Sequence, residues 1–461
     1  MELRVGQRHL MQEMGKSFRP CDLNQMYLLP PSLQDWLPEN HLARFIAEVS
    51  AQLDLQPIYA VYEERDGRGQ AAYDPRMMVR LLLYGYGVGK RSSRQIEKAT
   101  YDDVAFRYLA ADQHPDHDTI AAFRQQHLGA LAGLFAQVLR MCREAGMVKL
   151  GQIAIDSTKI RAHADRNRTV RYQQLEQAER VLDERVKALL AEAAQVDAEE
   201  DARYGVGQKP QDLPAELATS EQRLRKIRQA KQKLEQQAAE RAAEARAERE
   251  RQGGKHRNNA SRKRFETATR PVEQANPQYN FTDPDSKIML DNGSASFVQG
   301  YNAQIAVDGA QVIVATEVVS QPSDRGHLVP MVKAAQQELG TRLAVVLADA
   351  GYFSVEALED QALRETEVLV SPDARHSRRA SGAEAGTGIA AQMRQRLCTE
   401  WGRKLYARRA GLVEPVFAHI KAIRGLRQFL LRGLAAVRNE WRLICLTHNL
   451  LKLRRWRQAI A

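Results

Sequence analysis

Cysteine is scarce. Cys21, Cys142, Cys398 and Cys445 are the only four in 461 residues, and they are widely scattered. No two have Cys-x-x-Cys spacing and none has a histidine at zinc-ligand spacing, which argues against a disulfide framework and against a zinc site and fits a reducing compartment. Long apolar runs are missing too: none approaches the ~20 residues of a membrane-spanning helix, and the N-terminus has no apolar signal core. The expectation is a cytoplasmic protein. Acids are rare in one region. From 401 to 461, fourteen Lys and Arg face only Glu414 and Glu440. That local balance, 14 − 2 = +12, matches the +11 of the whole chain, so the remaining residues are nearly neutral. A pI near 9.5 favours an anionic partner such as nucleic acid or an acidic surface.

The chain exceeds the roughly 250–300 residues at which single cores stop growing, so more than one domain is expected. Residues 1–40, broken by Pro20, Pro30, Pro31 and Pro38, read as a loose arm. From 41 to 146 the apolar spacing is helical, with segments at 42–53, 75–86, 93–98, 104–109 and 118–141. Asp118 is a candidate cap for the last of these, which would expose Arg124, Gln125 and Gln126 in a helix–turn–helix suited to reading DNA, or simply in a helical bundle. Residues 147–169 hold a short apolar run ending at Asp156, whose length favours a strand. Between 170 and 270 the composition turns to Ala, Glu, Gln, Arg and Lys. Leu175, Leu182, Leu189 and Val196 repeat every seven residues, and after a Gly/Pro zone Leu217, Leu224, Ile227, Leu234 and Ala238 continue the pattern. This predicts an antiparallel helical hairpin, followed by a basic loop at 255–264. The rest, 271–461, reads as a strand hairpin turning at Asp308-Gly309, a helix at 327–339, strands at 343–348 and 367–371, a polar loop at 373–390, and basic C-terminal helices.

Asp156 ends the run Gln152–Ile155, and Asp349 ends Val345–Ala348. Each alone is an ordinary turn acid. Together, on adjacent strands, they would present two carboxylates at one sheet edge, an arrangement that is costly unless a cation neutralises it. Hard divalent ions bind through a few carboxylates plus substrate phosphates, and Glu414 from a following helix would supply a third. Arg409, Lys421 and Arg424 are candidate phosphate partners, and Tyr406 could stack or hydrogen-bond beside them. Pro415 is expected to interrupt the helix that carries Glu414. Asp324 is an outside candidate for the same site, and Asp308 is explained by its turn.

These residues resemble bacterial insertion-sequence transposases of the DDE type, in the branch with a tyrosine–arginine–glutamate–lysine signature. The likeness rests on Ser92–Glu97 with Pro115–Arg124, on Ile155-Asp156-Ser157-Thr158-Lys159, on Gln299–Gln304 with Ala348–Tyr352, and on Tyr406, Arg409, Glu414 and Lys421. Four residues separate Arg409 from Glu414, one more than in the usual signature, whereas the six between Glu414 and Lys421 are kept. The resemblance implies an α/β, ribonuclease-H-like mixed sheet with an N-terminal all-helical domain and a coiled-coil hairpin inserted after the first strand. It implies Asp156, Asp349 and Glu414 as catalytic ligands of Mg2+ or Mn2+ in a two-ion site. It also implies strand cleavage and transfer at the element's ends, double-stranded DNA as partner, a homodimer in the DNA complex, and a nucleoid-associated location. Two alternatives stand beside it: a metal-dependent nuclease on the same core, and a non-catalytic DNA-binding coiled-coil protein.

Overall fold

A computed structural model of the protein describes residues 32–63, 72–149, 151–204, 215–251, 253–254, 259–291, 293, 295–373 and 388–460. Most of the N-terminal arm, the Gly/Pro zone of the hairpin, Lys255–Arg257 and most of the loop at 373–390 lie outside these. The N-terminal region is helical: α1 (Leu42–Gln52), α2 (Gln56–Glu63), α3 (Pro75–Val88), α4 (Ser93–Asp102), α5 (Val104–Leu109), α6 (His117–Gln126) and α7 (Leu128–Glu144). Asp74 starts α3 by accepting from the backbone N–H groups of Arg76 and Met77, with Pro75 pre-set in the first turn. Most of α3 is buried at the centre of this layer.

The single helix expected over 118–141 is two helices, and the cap is Asp116, whose carboxylate accepts from Thr119 N at 2.6 Å. His127 leaves helical geometry between them (φ −103°, ψ 15°). Its ring stacks on Tyr62 of α2 and bonds the Tyr62 hydroxyl at 3.2 Å, so tertiary packing of a helix not anticipated in the sequence breaks the periodicity.

Strand β1 (Ile153–Arg161) is central to the sheet. A two-stranded ribbon, β2 (Thr169–Arg171) with β3 (Gln278–Asn280), brackets the helical insertion. Its helices α8 (Tyr172–Tyr204) and α9 (Ala215–Arg251) lie antiparallel: Tyr172 bonds Glu235, Arg228 pairs with Glu179 and Asp183, and Val186 packs on Leu224. The heptad positions Leu175 and Leu234 are buried in that seam with Tyr172 and Ala230. Part of the expected basic loop is helical, with Arg262 and Lys263 on α10 (Asn259–Ala268). After α11 (Val272–Ala275) come β4 (Lys287–Asp291), β5 (Ser296–Asp308), β6 (Ile313–Val319), α12 (Leu328–Leu339), β7 (Val345–Ala348), α13 (Val355–Leu358) and β8 (Glu367–Val370).

Strand β5 runs antiparallel to β1, β4 and β6, while β7 is parallel to β1 and β8 is parallel to β7. The apolar faces of β1 and β5 make this the middle of a continuous core. The chain closes with α14 (Ile389–Cys398), α15 (Glu400–Ala418), a π turn at His419–Ile423 and α16 (Leu434–Ile460). Helix α16 joins the two regions. It packs on α3, α7 and β6; Trp441 donates to Gln304 O at 3.0 Å, and Asn449 pairs with both backbone groups of Ile313. Among the described residues, no helix is long and apolar enough to cross a membrane.

Candidate active site

Parallel pairing of β1 with β7 matches Ile155 to Ala348, so Asp156 and Asp349, each one residue further on, emerge at the same level of neighbouring strands. Asp156 still pairs within β1 and β5, opposite Ile305, whereas Asp349 already leaves β7 into a 3-10 turn at Ala350–Tyr352. Helix α15 crosses this edge and delivers Arg409, whose side chain is only 6% exposed. Its Nη1 donates to Asp156 Oδ2 at 2.7 Å and its Nη2 lies 3.5 Å from Asp349 Oδ1. The two carboxylates therefore converge on one cationic group, the arrangement that like charges at a sheet edge require.

The partners of this pair respond differently to it. Burial pushes the Asp156 carboxyl up to about 6, against the opposing pull of Arg409 and of the Ser157 N–H at 2.7 Å; Asp349 adds to the rise. For Arg409 burial works against the charge, but two carboxylates outweigh it and hold the guanidinium above its ordinary value. Burial therefore dominates at Asp156, and the two facing acids dominate at Arg409. The Tyr406 ring lies beside the guanidinium, 6.0 Å from its centroid. A cleft of about 160 Å³ opens here between Asp349, Ser371, Asp373, Tyr406 and Arg409. A larger cavity, about 570 Å³, lies elsewhere, among α9, β4 and residues 320–322, and has no part in this cluster.

Glu414 sits five residues beyond Arg409 on α15 and is exposed. Among the described residues, no three His, Cys, Asp or Glu side chains are grouped to hold a metal, so Glu414 is not gathered with the two aspartates as this structure stands. The expected break at Pro415 does not occur: α15 continues through it to Ala418. Proline has no N–H to give the carbonyl four residues back, here Gly411. That carbonyl instead accepts from Gln311 Nε2 at 3.1 Å, from the turn between β5 and β6.

Lys421, on the π turn, donates to Thr158 Oγ1 at 3.0 Å and Lys159 O at 3.2 Å, and so ties the turn to β1 beyond Asp156. The two remaining DNA candidates are buried. Arg124 is 7% exposed, not on an open helix face; its Nη1 donates to Arg91 O at 2.9 Å and reaches the Tyr86 hydroxyl at 3.5 Å. Arg424 is 5% exposed and bonds Tyr86 O, Ile444 O and Thr447 Oγ1, with burial pulling its guanidinium down to about 9. Arg424 bridges carbonyls of α3 and α16, and Arg124 is held by Arg91 O and Tyr86, so neither faces solvent. Exposed cations in the C-terminal region include Arg403, Lys404, Arg408, Arg427, Arg432, Arg438, Arg442 and Arg455.

Asp324 lies behind the aspartate pair. It accepts from Asn302 Nδ2 at 2.7 Å, is 3.9 Å from Lys159 Nζ, and abuts Gly351 in the turn after Asp349. The phenol of Tyr352, fully buried, is pushed well above its ordinary value by burial and then by Asp324, Asp156 and Asp349. Lys159, Asn302 and Tyr352 do not stand out individually in the sequence as site residues. Their signal lies in flanking the two aspartates and the β5 strand, within the very blocks that carry the family resemblance.

Two family models match the chain. One, described as a transposase domain, covers residues 31–126; the other, described as a transposase DDE domain, covers residues 372–454. The second includes Tyr406, Arg409, Glu414 and Lys421, while Asp156 and Asp349 fall outside both. No curated protein and no solved structure matches the chain.

Proposed function

We propose that the chain is a DDE-type transposase, a reading supported by the family matches over residues 31–126 and 372–454, and that it cuts and joins DNA at the ends of an insertion sequence, with Asp156, Asp349 and Glu414 as the acids of the site. The observation that carries this reading is the register of β1 on β7, which brings two aspartates from separate strands to a single cation-holding edge. The strand order β6-β5-β1-β7-β8, antiparallel among the first three and parallel across the last three, supports a ribonuclease-H-like core. In this reading residues 147–169 and 271–461 form that core, 170–270 is a coiled-coil insertion, 41–146 recognises the terminal repeats, and two protomers act together on the DNA.

DDE transposases generally use divalent ions, and the donor set here fits one. The oxygens of Asp156 and Asp349 are hard ligands already converging on a guanidinium, so the edge accommodates positive charge. Mg2+ or Mn2+, as a pair, would be held by these two carboxylates and by Glu414 once it is brought in. Such ions would supply Lewis acidity for in-line displacement at phosphorus. The chain's own groups do the positioning: Ser157 N–H fixes one Asp156 oxygen, Arg409 and Tyr406 face the cleft where the strand would lie, and Lys421 sets the turn against β1. Exposed Arg408 and Arg427 grip neighbouring phosphates.

Alanine at Asp156, Asp349 or Glu414 is expected to abolish end cleavage in a gel assay while end binding persists. Full cleavage by any one of them sinks the assignment. Pre-cut ends separate this reading from a nuclease, because only a transposase joins a terminal 3′-hydroxyl to target DNA.

A further inference from the structure

Pro415 follows the proposed third acid directly, inside a helix where proline removes the bond that should close on Gly411 O. The helix is continuous all the same, and Gln311 supplies the missing donor from a different element, 100 residues away in sequence. Gln311 is itself held firmly. It is one of the few non-glycine residues with positive φ, at 62°, in a turn where buried Asp308 accepts from Ala310 N at 2.9 Å and Val312 N at 2.7 Å. Its own carbonyl accepts from His448 Nε2 at 3.2 Å, and its Oε1 receives Lys452 Nζ at 3.3 Å, both from α16. A side chain placed by the sheet and by α16 therefore completes the backbone of α15 three residues before Glu414.

We propose that Gln311 is a positioning residue for Glu414: its amide substitutes for the N–H that Pro415 lacks and keeps the segment from Arg409 to Ala418 helical, in line with the β5–β6 turn. This rests on reading Glu414 as the third acid. Without the amide, Gly411 O turns to water, and the helix around Pro415 keeps only the packing of Leu412, Val413 and Val416 to hold it against the bend that proline favours.

The test is a double-mutant cycle on the full chain, with hydrogen exchange of the 409–418 backbone and end cleavage as readouts. Gln311→Glu keeps the shape and the acceptor for Lys452 but loses the donor; Gln311→Leu removes both. Each is expected to speed exchange in 409–418 several-fold and slow cleavage several-fold, with end binding unchanged. Pro415→Ala restores an N–H for Gly411 O, so in that background both Gln311 variants are expected to have little effect on exchange. Equal effects with and without the Pro415→Ala substitution would show that Gln311 acts through its other contacts and overturn the proposal, as would unaltered exchange in Gln311→Glu. If exchange follows the cycle but Glu414→Ala still cleaves, the positioning of the helix stands and the role of Glu414 falls.

Discussion

Replacing Asp156 by asparagine should abolish cleavage and yet make the metal-free protein harder to unfold. The carboxyl is held at about 6 in the folded chain, against 3.8 as its ordinary value, chiefly because burial disfavours its charge more than Arg409 favours it. A folded-state value raised above the unfolded one means that stability is greatest with the acid protonated, below pH 3.8, and is lost as pH rises through 6. Above pH 7 the full difference applies, roughly 3 kcal/mol of unfavourable ionisation that asparagine does not incur. The shift is already net of the 2.7 Å ionic pair with Arg409, which the neutral acid also lacks, so a gain of up to about 3 kcal/mol is expected. The assay is thermal and urea denaturation in chelator between pH 5 and 8. Each kcal/mol should raise Tm by roughly 2 °C or somewhat less in a chain this size. Because the wild-type carboxyl is largely protonated at pH 5, the gap should shrink there to about half its value at pH 8. A variant less stable than wild type at pH 8, or a gap that does not depend on pH, refutes the reasoning.

Other expectations follow from the same packing. Glu440 is wholly buried, accepts from Leu430 N and Leu431 N at 3.0 Å, and lies 3.5 Å from Arg91; Glu440→Ala should cost about 3–5 kcal/mol, read from the urea midpoint. Arg124→Met and Arg424→Met should lower stability without changing the salt dependence of DNA binding, whereas exposed Arg408→Met should reduce the slope of log Kobs against log salt by about one, measured by fluorescence anisotropy. A Cβ at Gly300 would run into Ile160 O, so Gly300→Ala should force β5 from β1 at a cost of about 1–3 kcal/mol, visible as a lower Tm.

Local pattern carries far in this chain. The period-7 leucines of the insertion, the Asp-Gly turn after β5 and the two apolar runs ending in aspartate are all legible, because each depends on neighbours within a few residues. What is not legible has a long-range cause. His127 ends a helix because Tyr62 waits for its ring, and Pro415 does not end one because Gln311 offers an amide. Arginine is the least legible residue type: its charge predicts DNA contact equally well whether it is exposed, as at Arg408, or buried against carbonyls, as at Arg124 and Arg424.

By itself the sequence offered Asp156, Asp349 and Glu414 as candidate acids, since carboxylates after apolar runs and a cationic tail are properties of residue type and spacing. Tertiary structure alone decided that β1 and β7 lie side by side in register, that one guanidinium spans their two aspartates, and which cations remain in solvent. Register and burial are relations between segments far apart in the chain, and local preference does not encode them.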